Sequence, residues 1–524
     1  MVYGLSIWVG KLMKNIYDTV IVGSGSAGSI LANRLSNNSN RNILLIEAGN
    51  DYSNEESIPE NIFYGHGNLD LPASYDSDPH NWSYRGESTD GGPEIRIPRG
   101  KVIGGSSSIN AQILLRGVRD DYDRWAEFGN EEWTFEKVLP YFKKFEKDLD
   151  FSDDYHGQDG YIKVKRVPEN EWDDIHRAFY NSCIDYGFPS CPDHNKPDST
   201  GVGPLAFNQI DGVRQSTSLT YLADIRHRPN LNIKSNTYVS KILFDGIKAI
   251  GLELQSKSEK FEIYAEQIIL CAGAIESPKI LLNSGVGDPD KFINHGIKPV
   301  IDLPGVGKNL RDHPMAYIAW EPKLDYQNPT TNYSRVAMSL RYTSKDSNFK
   351  NDMIVYMNSS TKNNGNPEVP NGIKANLTLN LEESSGEIFL NDQDPTDYPR
   401  LFYNYLDTEN DVNRFIEGIN ILEEIGNHNE FQKYVGDMIH PNIDIRKDDK
   451  LLKKWLHGKM VTGHHSSGTC KMGNDPLAVV DQTGSVIGAE NLKVVDASIM
   501  PDCIRANTNA TVMLIAERII DLWE

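Results

Sequence analysis

The chain is poor in cysteine, and its cysteines are not arranged in pairs. Five occur among 524 residues without any CxxC spacing: Cys183, Cys191, Cys271, Cys470 and Cys503. An odd and sparse set of this kind is typical of free thiols in a reducing compartment. We therefore expect no structural zinc or other metal site, and we predict a cytoplasmic protein.

Positive charge is also scarce. Lys and Arg number 53 against 74 for Asp and Glu, which gives a formal net charge of -21. Nucleic-acid-binding proteins concentrate Lys and Arg on one surface. This balance therefore argues against a nucleic-acid partner and in favour of a soluble protein.

Long apolar runs are missing as well. No run approaches the roughly 18 residues that a membrane-spanning helix needs. Residues 1–15 include a short apolar stretch at 5–9 but no small-residue cleavage site behind it. We interpret them as a short N-terminal extension and expect no membrane span.

The length and the apolar content predict two domains. Hydrophobic residues make up 39% of the chain and aromatic residues 9%, which is enough for a large buried interior. Single cores stop growing at about 250–300 residues, so a chain of 524 residues should divide.

A glycine-rich loop follows the first predicted strand. The β-branched and apolar residues 17–22 lead into Gly-Ser-Gly-Ser-Ala-Gly at 23–28, a helical pattern continues to residue 35, and a second apolar strand follows at 43–46. This order of strand, loop, helix and strand is the βαβ pattern of dinucleotide-binding proteins.

Each glycine of the loop has a physical role in that pattern. Gly23 permits the tight turn, Gly25 lets the backbone approach a pyrophosphate, and Gly28 lets the helix pack closely on the strand. Glu47 ends the second strand about 20 residues after the last glycine, where an acid accepts hydrogen bonds from ribose hydroxyls. An acid there disfavours a 2′-phosphate, so the predicted cofactor is FAD or NAD rather than NADP.

Further segments are typical of loops that enclose a ligand. Residues 98–110 are rich in glycine and serine but flanked by apolar residues, which predicts a buried loop whose polar backbone needs a partner. Residues 116–149 are predicted to be largely helical. Residues 267–272 are predicted to form a buried strand, and Ser277 with Pro278 to begin the next helix.

The middle of the chain has a different pattern of predicted secondary structure. Residues 315–460 alternate short predicted strands with Asn- and Ser-rich loops and a helix at 411–425, which indicates an antiparallel sheet with helices. Residues 461–524 return to a strand, a loop and an amphipathic helix. We therefore expect an α/β protein, α+β overall, in which a doubly wound cofactor domain is built from discontinuous segments and carries an inserted substrate domain.

Two polar side chains near the C-terminus are candidates for catalysis. His465 follows His464, and Asn507 lies some 40 residues further on. An imidazole can take the proton of an alcohol while a carboxamide donates a hydrogen bond to the same oxygen. A His-His pair alone is more often structural or metal-binding, so this interpretation depends on the rest of the chain.

Taken together, these motifs resemble the glucose–methanol–choline (GMC) oxidoreductases. Residues 100–110 look like the first signature of that family, residues 273–287 like its second, and residues 464–473 with 496–509 like its C-terminal block. The amino-acid sequence of the C-terminal block is most similar to that of the hydroxymethylfurfural and aryl-alcohol oxidase branch.

The resemblance implies FAD as the cofactor and assigns roles by position. His465 matches the active-site histidine and Asn507 its partner. The implied cofactor-binding residues are Gly23, Gly25, Ser26, Ala27, Gly28, Glu47, Ala48, Val102, Gly104, Gly105, Asn110, Ala111, Val239, Asp496, Ala497 and Asn509. The implied cofactor domain comprises residues 16–150, 200–314 and 461–524, and the substrate domain comprises residues 151–199 and 315–460.

Departures from the family pattern are informative. Ile109 occupies the position where some members carry the histidine that links FAD covalently, so we expect non-covalent FAD. Met315 replaces a glutamate found in choline-oxidising members, which favours an uncharged alcohol. Gly463 replaces a larger side chain, which suggests extra room for substrate. His464 is either a hydrogen-bonded spacer or a substrate contact.

The resemblance implies an alcohol oxidase that passes a hydride to flavin N5 and then uses dioxygen as acceptor. A dehydrogenase with a quinone-type acceptor, a hydroxynitrile-lyase-type enzyme and a non-catalytic flavoprotein remain alternatives. The partners are therefore a small alcohol and dioxygen or a quinone-type acceptor, and the oligomeric state is left open.

Overall fold

The predicted βαβ unit is confirmed in the computed structural model of the protein, which describes residues 16–65, 76–328, 334–345, 347–360, 369, 371–391 and 397–523. Strand Ile16–Val22 leads through the glycine loop into helix Ser26–Leu35, and strand Ile43–Ile46 returns parallel to the first. The predicted extension at 1–15 lies outside the described residues.

The first large sheet has seven strands and forms the cofactor-type half of the fold. In spatial order the strands are Leu231–Lys234, Ile43–Ile46, Ile16–Val22, Glu259–Leu270, Lys248–Ser256 and Tyr238–Asp245, and Leu492–Val494 pairs with Glu259–Leu270. The pairings are parallel except for the two that join the last three of the ordered strands. The carboxyl ends of the parallel strands therefore meet at one edge.

Helices cover this sheet. The C-terminal helix Thr508–Asp521 packs against helix Ser26–Leu35 and helix Phe135–Phe145. Its buried Glu517 accepts from Arg34 Nη2 at 2.7 Å and from the Tyr221 hydroxyl at 2.7 Å. A buried carboxylate with charged and neutral donors fixes how the two helices sit on each other.

The second large sheet is antiparallel, as predicted for the middle of the chain. Its ordered strands are Val435–His440, Pro314–Pro322, Ile373–Leu379, Met353–Asn358, Val336–Tyr342 and Gly201–Pro204, and Val461–Thr462 pairs with Pro314–Pro322. Helices Asp174–Tyr186, Glu409–Gly426 and Asp449–Lys459 belong to this half. An α/β fold with an added antiparallel sheet is thus confirmed.

Smaller elements connect the two halves. Small sheets join Tyr84–Glu87, Glu94–Ile97, Glu387–Phe389 and Arg400–Phe402; Glu146–Asp148, Ile162–Arg166 and Ala206–Phe207; Gln209–Ile210 and Val213–Arg214; Val286–Gly287 and Ile301–Asp302. Short helices and helical turns span Glu55–Ser57, Glu60–Phe63, Gly105–Ser108, Arg119–Glu127, Glu131–Trp133, Glu169–Glu171, Ser218–Leu222, Pro289–Phe292, Ile293–His295, Phe431–Lys433, Ile443–Arg446 and Ala497–Ile499.

The helix predicted to begin at Ser277 and Pro278 begins earlier. It spans Gly273–Asn283, with both residues inside it. Pro278 has no N–H for the carbonyl of Ala274 four residues before it, which is the usual reason for keeping proline at a helix start. The hydroxyl of Thr469 donates to that carbonyl at 2.6 Å instead. A distant segment therefore supplies the missing hydrogen bond.

The region predicted to be helical up to residue 149 is also shorter than expected. Helices Arg119–Glu127 and Phe135–Phe145 form there, and the chain then turns into strand Glu146–Asp148.

Within the range 200–314 that we predict for the cofactor domain, strand Gly201–Pro204 pairs with Val336–Tyr342 and so extends the second sheet. No helix in the described part of the chain is long and apolar enough to cross a bilayer.

Candidate active site

An elongated cavity lies at the edge where the parallel strands end. Its space is about 1750 Å³ including the open mouth. Val22 and Ile46 line it at the ends of their strands, and Cys271 lines it directly after strand Glu259–Leu270. This edge is where open α/β sheets bind their ligands.

Most of the residues predicted from the motifs lie on this cavity. Its wall includes Gly23, Gly25, Ser26, Ala27, Glu47, Ala48, Gly105, Asn110, Ala111, Val239, Asp496, Ala497 and Asn509, together with His465 and Asn507. These residues come from segments separated by hundreds of positions, and the fold brings them to one surface.

Three of the predicted residues do not belong to the wall, and each has a structural reason. A Cβ on Gly28 would lie 1.9 Å from the Gly23 carbonyl oxygen, so this glycine permits the close packing of helix on strand. Val102 is fully buried. The N–H of Gly104 donates to the Ser24 carbonyl at 3.0 Å. They shape the loops that carry the wall.

The turn after the first strand requires glycine at position 23. Gly23 has φ +96°, and a Cβ there would lie 2.5 Å from the carbonyl oxygen of Cys271. L-residues with a side chain rarely adopt this conformation. The turn lets helix Ser26–Leu35 begin at the cavity, where its free N–H groups and positive dipole favour an anionic group such as a pyrophosphate.

Glu47 is held in place on the cavity wall. Its carboxylate accepts from the N–H of Ser24 at 3.0 Å, the Ser24 hydroxyl at 2.7 Å and the N–H of Gly49 at 2.9 Å. Burial raises the pKa of Glu47 although these donors oppose the shift. The carboxylate lines the cavity wall, where a ligand hydroxyl can also donate to it.

Asp496 and Asn509 join separate segments beside the cavity. Asp496 accepts from the N–H of Gly273 at 2.8 Å and from the Ser277 hydroxyl at 2.6 Å. Asn509 Oδ1 accepts from the Ser26 hydroxyl at 2.6 Å, which links the first turns of helices Ser26–Leu35 and Thr508–Asp521. Two helix N-termini therefore face the same space.

His465 and Asn507 meet at the cavity wall. Asn507 Nδ2 lies 3.0 Å from His465 Nε2, and the Tyr356 hydroxyl donates to Asn507 Oδ1 at 3.3 Å. Because Nδ2 can only donate, His465 Nε2 is the acceptor and the ring proton is on Nδ1. The unprotonated nitrogen therefore faces the cavity beside an amide donor.

His465 is neutral at ordinary pH. Burial lowers the pKa of its imidazole well below the usual value, and the adjoining His313 lowers it further. A neutral imidazole that carries its lone pair on Nε2 can accept a proton there when a substrate hydroxyl takes the place of the Asn507 donor. The pair can thus hold one hydroxyl oxygen, with Asn507 donating to it and His465 taking its proton.

Two residues that hold His465 in place were not predicted from the sequence. His313 Nδ1 lies 2.8 Å from His465 Nδ1, and Asp312 Oδ1 accepts the backbone N–H of His465 at 2.7 Å. The other oxygen of Asp312 accepts from the Tyr405 hydroxyl at 2.7 Å and from Thr462. The segment that contains both residues, 303–314, looks like a turn-rich connection, and its only local signal is the charged run before the proline.

Gly463 lines the cavity, so the expectation of extra room there stays a prediction, but the absent side chain also has a structural cause. A Cβ there would lie 2.8 Å from the His313 carbonyl oxygen and 3.3 Å from His465 Nδ1. Glycine is needed because His313 packs tightly behind the loop. The missing side chain therefore serves the contact between the two imidazoles.

Met315 is not on the cavity wall. It lies buried in strand Pro314–Pro322, where it is paired with Val461 and Thr378. The charge of the wall is set by other residues. Arg99 lines the cavity beside His465 and donates to the Ser466 hydroxyl at 2.7 Å and to the Pro98 carbonyl at 2.8 Å, both uncharged groups.

His464 projects into the cavity next to the histidine pair. Its backbone has φ +68° and its N–H donates to the Thr462 hydroxyl at 2.7 Å. The ring is exposed to the cavity yet enclosed by the surrounding chain, and this enclosure, with Arg99 second, lowers the pKa of His464. Because the backbone of His464 is left-handed, the side chains of His464 and His465 point in different directions.

A glycine loop, a ribose-type acid and a His–Asn pair on one cavity define a dinucleotide-dependent oxidoreductase. Two GMC oxidoreductase family models match the chain at residues 17–315 and 382–516. The chain belongs to the GMC oxidoreductase family, as the sequence motifs predicted, and is an FAD-dependent enzyme of the kind that acts on CH–OH groups.

Named relatives and solved structures agree with this assignment. An oxygen-dependent choline dehydrogenase of Staphylococcus aureus (strain MSSA476) is 33% identical, and the match covers 97% of this chain and 93% of the relative. Pyridoxine 4-oxidase from Mesorbium loti superimposes with a TM-score of 0.89 at 29% identity, covering 97% and 99% of the two chains.

The predicted branch within the family has weaker support. A fungal aryl-alcohol oxidase superimposes with a TM-score of 0.84, covering 98% of this chain and 100% of the other. Its sequence identity is 21%, so this likeness establishes the fold alone.

Proposed function

We propose that this protein oxidises an uncharged primary alcohol to the aldehyde with FAD and passes the electrons to dioxygen, giving hydrogen peroxide. The observation that carries the proposal is the pairing of a neutral His465 with Asn507 at 3.0 Å on the wall of the cavity. An acceptor nitrogen beside an amide donor suits one alcohol oxygen.

The cavity wall fits FAD along its length. Glu47, whose carboxylate lines the wall, suits the adenosine ribose, and Val239 suits the adenine. The start of helix Ser26–Leu35 suits the pyrophosphate, while Asp496 and Asn509 lie where the family contacts the flavin end. The flavin would supply the hydride acceptor at N5.

The protein's own residues would manage the alcohol oxygen and its proton. Asn507 Nδ2 donates to the oxygen, and His465 Nε2 accepts the hydroxyl proton as the carbon loses its hydride. His313 Nδ1 accepts from His465 Nδ1, which keeps the ring proton of His465 on Nδ1 and its lone pair on Nε2. Asp312 fixes the backbone of the loop, so the acceptor nitrogen stays aimed at the cavity.

The charges on the wall favour a neutral substrate. The acidic residues of the wall already have donors: Glu47 is satisfied as above, Asp496 by Gly273 and Ser277, and Glu276 by the hydroxyls of Tyr84 and Tyr238. Beside His465 the wall carries the guanidinium of Arg99. A quaternary ammonium there would be buried near a positive charge, which is costly.

A second candidate is the oxidation of a cationic alcohol of the choline type. The choline dehydrogenase that matches 97% of the chain at 33% identity favours it. A quinone-type acceptor in place of dioxygen is the corresponding alternative for the second half of the reaction. Both alternatives keep the roles of His465 and Asn507.

One experiment separates these functions. The purified protein is mixed anaerobically with benzyl alcohol, other neutral primary alcohols or choline, flavin absorbance is followed, and air is then admitted. We expect bleaching by a neutral alcohol and rapid return of the colour in air. Bleaching by choline alone would establish the second candidate, a colour that returns only with a quinone would make the protein a dehydrogenase, and turnover without bleaching would indicate a lyase.

We further propose that the FAD is bound without a covalent bond and that the domain limits follow the predicted ranges, with residues 201–204 assigned to the substrate domain. Ile109 is buried and lines the cavity in the first glycine loop, and its side chain has no nucleophilic atom. The pairing of Gly201–Pro204 with Val336–Tyr342 supports the shifted limit.

A further inference from the structure

The buried side of His465 leads away from the cavity through a second imidazole. His465 Nδ1 lies 2.8 Å from His313 Nδ1, and the His313 side chain is fully buried. Within the described part of the chain, His313 Nε2 makes no well-formed hydrogen bond, and the backbone of Ile504 interacts with the ring only enough to oppose part of the lowering of its pKa. A buried ring nitrogen without a well-formed hydrogen bond needs an explanation in a native structure.

Glu382 and Cys503 lie behind His313. The three side chains are buried, and a ring nitrogen of His313, Cys503 Sγ and a carboxylate oxygen of Glu382 all lie within 4.8 Å of one another. Cys503 Sγ donates to Glu382 Oε1 at 3.0 Å. Among the described residues Glu382 Oε2 has no hydrogen-bond partner. The thiol can thus pass a proton to Oε1, while Oε2 leaves the carboxylate incompletely hydrogen-bonded.

The other charged groups around Glu382 are the guanidinium of Arg311 and the carboxylate of Asp502. Arg311 Nε lies 3.3 Å from Glu382 Oε1, and Arg311 Nη2 lies 2.9 Å from Asp502. The backbone N–H of Asp312 also donates to Glu382 Oε1 at 3.3 Å. The guanidinium balances either carboxylate, so Glu382 can exist as an anion or as an acid without leaving Arg311 unpaired.

We propose that Glu382 receives the alcohol proton from His465, through His313 and the thiol of Cys503, and stores it until the flavin is reoxidised. This inference rests on the proposed function and adds a proton-storing residue that acts through His313 rather than on the substrate. It gives the buried imidazole of His313, the thiol of Cys503 and the carboxylate of Glu382 one common role.

The proton balance closes within these residues. The alcohol O–H bond breaks as an N–H bond forms at His465 Nε2, and the Nδ1 proton of His465 moves to His313 Nδ1. The Nε2 proton of His313 then moves to the Glu382 carboxylate, with the thiol of Cys503 accepting one proton and releasing its own. The hydride leaves separately to the cofactor. Reoxidation reverses the shifts and releases the stored proton with the electrons.

The protonation states of the groups agree with this direction. Burial lowers the pKa of His313 to about 3, and burial lowers the pKa of His465 as well, so neither imidazole holds an extra proton. Burial raises the pKa of Glu382 to about 8 against the charge of Arg311. Glu382 accepts a proton only when ionised, so flavin reduction should speed up as the pH rises through about 8.

The test compares Glu382→Gln with Glu383→Gln, which removes the same charge from an exposed neighbour. In the holoenzyme we expect Glu382→Gln to slow anaerobic flavin reduction by at least about tenfold at high pH, less than the 10²–10⁴-fold worth of a direct proton acceptor. The rise in the reduction rate near pH 8, called the kinetic limb, should disappear. Glu383→Gln should keep the wild-type rate and profile, and Cys503→Ser, which retains an O–H, should keep the limb.

A second readout needs no alcohol. In infrared spectra of the ¹³C-glutamate-labelled holoenzyme, the band of a buried protonated carboxyl should vanish as the pH rises through about 8. It should be absent from Glu382→Gln and present in Glu383→Gln. If Glu382→Gln does not fold, Glu382→Asp is used instead. The pH at which the infrared band vanishes and the pH of the kinetic limb should then move by the same amount, because both report the same carboxyl group.

The outcomes distinguish the two proposals. If an alcohol bleaches the flavin and folded Glu382→Gln keeps the wild-type rate and pH profile, the proton store is refuted and the proposed function stands. A kinetic limb that survives in Glu382→Gln, or an infrared band that does not follow the limb, would overturn it as well. If no alcohol bleaches the wild-type flavin, the proposed function fails and the proton store fails with it.

Discussion

Replacing His465 with alanine tests the central assignment. The variant removes Nε2, the nitrogen that lies 3.0 Å from Asn507 Nδ2 on the cavity wall. We expect anaerobic flavin reduction to slow by about 10²–10⁴-fold, the usual worth of a positioned proton acceptor. At about 1.36 kcal/mol per tenfold, this corresponds to about 2.7–5.4 kcal/mol of transition-state free energy. FAD content should stay normal, because His465 is proposed to act on the alcohol and not to hold the cofactor.

The structure also ranks the partner residue. Asn507→Ala removes a neutral hydrogen bond while leaving the acceptor nitrogen in place, and such a bond contributes about 0.5–1.5 kcal/mol, or roughly two- to tenfold in rate. The order of rates should therefore be wild type, then Asn507→Ala, then His465→Ala. Single-turnover bleaching with one alcohol in the absence of oxygen measures all three.

His464→Ala is the matched control. Its ring lies on the same cavity, but its backbone at φ +68° directs it away from the contact with His313 and Asn507. We expect its loss to change the apparent affinity for the alcohol and to leave the limiting rate of bleaching close to wild type. A slow His464→Ala beside a normal His465→Ala would refute the catalytic assignment.

Two further predictions concern the cofactor. Glu47→Ala should lower FAD content without slowing bleaching in the remaining holoenzyme, because a lost charge-assisted hydrogen bond costs about 1.5–3 kcal/mol and the ribose lies far from the reacting atoms; normal flavin content would remove Glu47 from the binding site. Acid or heat should release free FAD into the supernatant, since Ile109 offers no atom for a covalent link; flavin that stays with the precipitated protein would contradict this.

Local sequence was sufficient for elements whose cause is local. The turn at Gly23 follows from a conformation that only glycine adopts easily, and strands Ile16–Val22 and Ile43–Ile46 follow from apolar runs buried on both faces. The position of Pro278 inside helix Gly273–Asn283 could not be predicted, because the hydroxyl that replaces its missing hydrogen bond comes from Thr469 in another segment.

The candidate site divides in the same way. Its motif residues belong to short stretches of sequence. The sequence alone therefore determined that this chain contains a dinucleotide loop, an acid after the second strand, and a histidine with a candidate asparagine partner. It could not indicate that His313 stands behind His465, since the two are 152 positions apart, or that Gly463 is there to let them touch.

The tertiary structure alone decided the surroundings of His465. Its pKa, its tautomer and the carboxylate of Glu382 behind it depend on burial and on contacts between segments that meet only when both sheets have folded. A side chain's identity sets which protons it can hold, but the charges and the water around it set which protons it does hold, and only the folded chain fixes those.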